Sequence, residues 1–149
     1  MRNRWLAFAI TLTLTGLAAP AGAVRINSLA GMRLDRAFGT FGAHGDCTKG
    51  PTITVAPTGF TFIVGGKSLK PPAFEWAPAY NGDNDGSHPL PVWFFPFPRS
   101  KDDFGPLVMT LDAQSISFDK QDNVIAPLYA TLLAGSPYTR CSMAPARSH

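Results

Sequence analysis

Asn81, Asp83 and Asp85 alternate along a polar stretch that ends at Gly86. Side-chain oxygens at alternate positions ahead of a glycine are the means by which a calcium loop converges hard ligands on a hard cation. The pattern is cut short, because Val92 stands where the bidentate Glu would close the shell. The same residues also make an ordinary Asn/Asp/Gly turn that needs no ion. The chain is read as free of cofactors, with Ca2+ at Asn81, Asp83 and Asp85 as the alternative.

His44, Asp46 and Cys47 fall within one turn. A thiolate next to an imidazole is a nucleophile, but only while the thiol is free. Cys47 and Cys141 are the two cysteines of the chain. In an oxidising compartment an even count in one small domain favours a bridge, which would remove the nucleophile. No G-x-S-x-G elbow and no phosphate-cradling glycine loop is present. Asp102 and Asp103 are adjacent, so on extended backbone they point to opposite faces and do not converge. Three scattered histidines lack zinc-site spacing.

The aromatic stretch Trp93-Phe94-Phe95-Pro96-Phe97, with Trp76 upstream, has two uses. Its rings can fill a core. Left exposed, they can form a contact patch for a protein, a peptide or a sugar. Trp93, Phe94, Phe95, Phe97 and Trp76 are therefore the candidate partner-binding residues.

Positioning these residues is the task of the elements around them. Met1-Arg-Asn-Arg is a short basic segment, followed by an apolar run from Trp5 to Ala19 and small residues at Ala21 and Ala23. This is the order of a secretory signal peptide cut after Ala23. The run is short of the ~20 residues of a membrane span, so no span is expected after cleavage. The organisation expected is a signal peptide over 1–23 and one exported domain over 24–149, periplasmic or extracellular. Arg2 and Arg4 leave with the signal, which takes 13 basic residues to 11 against 10 acidic ones. The remaining Lys and Arg are scattered, without the phosphate-neutralising patch that nucleic acid requires.

Nine of the ten acids are Asp, and Pro and Gly are frequent. This composition favours strands and turns over helices. Thr52–Val55 and Phe60–Val64 alternate about the turn Pro57-Thr58-Gly59, and Gly65-Gly66 turns into Lys67-Ser68-Leu69, giving a hairpin and a third strand. Phe60, Phe62 and Val64 should share one face. Ala37–Ala43, Phe74–Ala77, Leu107–Leu111 and Ser115–Phe118 read as further strands. Val24–Arg36 reads as a short strand or frayed arm. The prolines of Pro91–Pro98 predict an edge strand or an extended segment laid on the core. Asn123–Ala126 reads as the start of a strand, and Leu128–Ala134 as strand or helix. The fold class is all-β: a single antiparallel sandwich or barrel-like domain of about seven to nine short strands with one disulfide.

Gly42-Ala43-His44-Gly45-Asp46-Cys47, followed by Pro51, Ile53, Val55 and Gly59-Phe60-Thr61-Phe62, resembles the layout of small exported proteobacterial β proteins. In that layout an early cysteine precedes a β-hairpin and pairs with one near the end. The layout also resembles the periplasmic lysozyme-inhibitor barrels. The resemblance implies an exported barrel and assigns no functional residue. The expected function is a non-enzymatic periplasmic binding domain for an envelope protein or small ligand, one version being an inhibitor of an envelope-directed enzyme. The alternatives are a barrel for a small apolar ligand and an envelope hydrolase whose site is assembled in space.

Overall fold

A computed structural model describes residues 23–78, 91–100 and 103–141. Residues 1–22 of the expected signal segment and the Asn81, Asp83 and Asp85 stretch lie outside the described residues.

The hairpin signal is borne out. β1 (Val24–Ile26) and a 3-10 turn at Asp35–Ala37 precede β2 (Gly39–Ala43), β3 (Thr52–Ala56), β4 (Gly59–Val64) and β5 (Lys67–Leu69). β3 and β4 pair antiparallel through Ala56↔Gly59 around the loop Pro57-Thr58. β4 and β5 pair through Val64↔Lys67. The turn between them, Gly65-Gly66, has φ of 56° and 75°. Two successive positive φ values suit glycine and match the twist of a two-residue hairpin.

β6 (Phe74–Pro78), β7 (Val92–Phe95), β8 (Leu107–Leu111) and β9 (Ser115–Lys120) follow, then helix α1 (Pro127–Ala134) and β10 (Tyr138–Arg140). All ten strands form one sheet in the order β1-β6-β7-β8-β9-β10-β2-β3-β4-β5, and every pairing is antiparallel. The sheet curls into a half-barrel. Its curl is visible in the rings: Phe60 on β4 lies 4.9 Å from both Phe74 on β6 and Phe94 on β7, strands at the other end of the sheet order.

Alternation fixes the inner face. Ile53, Val55, Phe60, Phe62, Leu107, Met109, Leu111, Ile116 and Phe118 are buried in one core with Phe41, Phe74, Phe94 and Tyr138. Burying a side chain of this size is worth about 1.5–3 kcal/mol, so a one-residue slip of any central strand would be costly. The helix packs on β9 and β4. Leu132 is fully buried, and Tyr129 meets Phe97 with ring centroids 5.0 Å apart.

Two local expectations are corrected, and one open choice is decided. β7 is not an edge: it pairs with β6 on one side and β8 on the other. Pro91, Pro96 and Pro98 flank the four residues Val-Trp-Phe-Phe, so no proline has to donate within the ladder. Asn123–Ala126 forms no strand. The ambiguous run that follows is helical, started by Pro127 in the first turn, where its missing N–H costs nothing.

Arg140 fastens the ends together. Its guanidinium donates to the carbonyls of Arg36, Phe38 and Ala113 and lies over the Phe41 ring at 5.0 Å. The Cys47–Cys141 disulfide closes beside it across a sequence separation of 94.

Candidate functional site

The turn His44-Gly45-Asp46-Cys47 is built for structure. Cys47 is bonded to Cys141, so it holds no free thiol. The Asp46 carboxylate accepts from the backbone N–H of Thr48 at 2.8 Å, from the Thr48 hydroxyl at 2.9 Å and from the N–H of Lys49 at 3.1 Å. These donors, the Thr48 N–H foremost, hold its carboxyl below the ordinary value. The His44 ring is turned elsewhere, its Nε2 lying 3.0 Å from the Ala134 carbonyl. Among the described residues no group of three or more His, Cys, Asp or Glu gathers where a metal could sit.

The aromatic stretch divides between the two faces of β7. Phe94 points inward and is fully buried. Phe97 packs on the core against Phe62, with centroids 5.0 Å apart. Trp76 is half-buried against the same core. The other two aromatics point outward: Phe95 is 8% exposed and Trp93 is 39% exposed.

Outside, these two form one wall of a groove of about 330 Å³. Val108 and Thr110 of β8 make its floor, and Asp119 and Gln121 the opposite side. The sheet register sets this arrangement, since Trp93 pairs with Thr110 and Val108 with Asp119. The wall is completed by Phe104, whose ring stacks on Phe95 at 4.7 Å and 29°, while Phe104 itself remains 38% exposed.

Phe104 is held there by a charged clamp. Arg99 Nε lies 2.8 Å from Asp103 Oδ2, and Arg99 Nη1 lies 3.0 Å from Asp122 Oδ2. Asp103 also accepts the N–H of Gly105 at 3.0 Å. The hydrogen bond from Arg99, then that from Gly105, holds the Asp103 carboxyl below its ordinary range, and the two carboxylates raise Arg99 in turn. Gly105 has φ of 87°, and a Cβ there would run into the Phe97 carbonyl. Only glycine fits this close approach.

Glu75 lies beside the groove. It pairs in register with Phe95 on one side and Arg25 on the other. It is 3% exposed, and Arg25 Nε approaches its Oε1 at 3.7 Å. Neither Phe104 nor Glu75 is among the residues the sequence singles out. A lone phenylalanine in a charged turn, ahead of a glycine, is the signal for the first. The one Glu of the chain, set between Phe74 and Trp76, is the signal for the second.

A polar row elsewhere on the outer surface contrasts with this patch. Thr40, Thr54 and Thr61 line up across β2, β3 and β4, with the first two hydroxyls 3.2 Å apart. One side of the barrel therefore presents a threonine row, and the other an aromatic groove. Comparison with protein-family models, with curated proteins and with solved structures finds no match.

Proposed function

We propose that this chain is a non-enzymatic, disulfide-closed binding domain of the periplasm or extracellular space, and that the Trp93–Phe95–Phe104 groove is its contact surface for an envelope protein. The observation that carries this reading is the exposure of Trp93 and Phe104 beside a rigidly supported Phe95. Water-exposed rings of this size are stabilised by being covered, and Trp and Phe anchors in preformed grooves dominate contact energetics. The Trp93, Phe95 and Phe104 rings, gathered along one groove, form such an anchor site.

The export reading draws support from the bridge, which persists in oxidising compartments. No helix among the described residues is long and apolar enough to cross a membrane. β1 begins at Val24, the residue after the expected cut. An inhibitor of an envelope-directed enzyme is one form of this function.

A barrel for a small apolar ligand needs rings such as Trp76, Trp93 and the phenylalanines around one internal cavity. Trp93 instead faces outward, while Phe60, Phe74 and Phe94 pack edge to face inside. The test is affinity capture from an envelope extract by the oxidised protein, by a Trp93→Ser/Phe104→Ser variant and by a Thr54→Ser control. The reading expects a component retained by wild type and control and lost from the groove variant. Identical retention by all three would contradict it.

A further inference from the structure

The groove pairs three aromatic ring faces with a single charge. Among the residues that line it, Asp119 alone is charged. The other described acids near it are already engaged: Asp103 and Asp122 by Arg99, and Glu75 by Arg25. Asp119 is exposed, and its carboxylate makes no hydrogen bond or ion pair with any described residue. Trp93 and Phe95 of the aromatic wall stand on β7 and Asp119 on β9, with only the β8 floor between them. Adjacent strands lie about 4.8 Å apart, so the backbones that carry Phe95 and Asp119 stand roughly 10 Å apart.

That is the span of an extended basic side chain. Its methylenes would lie on Val108 and the Thr110 methyl, and its cation would be shared between the ring faces and the carboxylate. Ring quadrupoles attract a cation, Arg above all. A planar guanidinium also stacks on aromatic faces and meets a carboxylate through paired N–H donors. Gln121 supplies a further side-chain carbonyl acceptor at the same edge.

We infer that the groove receives an arginine side chain of a partner protein, its stem over β8 and its guanidinium between the Trp93–Phe104 wall and Asp119. This inference rests on the contact-surface reading above and adds the chemistry of what is contacted.

The test uses the oxidised, isotopically labelled protein and the probe Ac-Gly-Arg-Gly-amide, titrated into the millimolar range. The Trp93 indole N–H and the Val108, Thr110 and Asp119 amides report on the groove. The expected result is saturable shifts confined to those signals. The citrulline peptide, which keeps shape and loses charge, should bind about tenfold more weakly, as the loss of a cation–π contact and a partly exposed ion pair predicts. Asp119→Asn, which removes the ion pair and leaves the cation–π contact, should weaken the arginine peptide by about two- to fivefold, with the remaining spectrum unchanged to show an intact fold. Equal binding of the arginine and citrulline peptides would overturn the proposal in favour of a neutral ligand. Shifts of the same signals with protein concentration alone would overturn it in favour of a second copy of this chain. An unmoved spectrum would also overturn it. If the groove variant still loses its captured partner in that case, the contact surface stands and only the arginine assignment falls.

Discussion

Phe104 stacks on Phe95 with ring centroids 4.7 Å apart and planes 29° from parallel, joining a loop residue to the outer face of a central strand. Stacked pairs of this kind are worth about 0.5–1.5 kcal/mol beyond their area burial. A double-mutant cycle with Phe95→Ala and Phe104→Ala, read by urea unfolding, should return a coupling energy in that range. Coupling near zero would mean that the Arg99 clamp alone holds the loop in place.

The Cys47–Cys141 bridge closes a loop of 94 residues. In the chain-entropy model a loop of this length restrains the unfolded state by about 4–5 kcal/mol. The Cys47→Ala/Cys141→Ala variant should lose several kcal/mol of stability, seen as a large fall in the urea midpoint. A loss below about 1 kcal/mol would show that the unfolded chain is already restrained by residual structure.

Arg140 donates to three carbonyls from two distant parts of the chain while covering Phe41. Lysine keeps the charge but not the planar fork. Arg140→Lys should destabilise the fold by about 2–3 kcal/mol, since charge-assisted bonds contribute roughly 1.5–3 kcal/mol each and a lysine can replace only some of them. A change within 0.5 kcal/mol of zero, about the size of a neutral surface substitution, would contradict the role given to the guanidinium.

Tyr138 is fully buried, its hydroxyl donating to the Leu132 carbonyl at 3.0 Å. Burial pushes its phenol up from 10.0 to about 12. The unfolded chain therefore releases this proton first, and stability must fall as the pH rises between those two values. Below pH 10 the contribution is fully present. A tyrosinate titration followed by ultraviolet absorbance should show a step near pH 12 that Tyr138→Phe removes. An unchanged titration in that variant would place the step on another residue.

Much of the fold was legible from local alternation. Ile53, Val55, Phe60 and Phe62 alternate strictly about a proline–glycine turn, and they occupy the inner face as that spacing requires. The cysteine bridge was legible from the even count. β7 was harder, because prolines crowd it; what mattered was that all of them fall outside Val92–Phe95. The helix was undecidable, since Leu128–Ala134 is short and apolar, and only its packing on β9 and β4 settles it. At the candidate site, periodicity could have separated Trp93 and Phe95 from Phe94. It carries no information on Phe104, whose place depends on Arg99 meeting Asp122 across 23 residues. Long-range charge pairs of that kind leave no local pattern.

The aromatic groove, and not the threonine row on the other side of the barrel, is the surface proposed to meet a partner. Photo-crosslinking in intact cells tests this directly, with a benzophenone amino acid placed at Thr110 in the groove floor or at Thr61 in the threonine row. A discrete higher-mass adduct is expected from position 110 and none from position 61. Adducts of equal yield from both positions, or from position 61 alone, would contradict it.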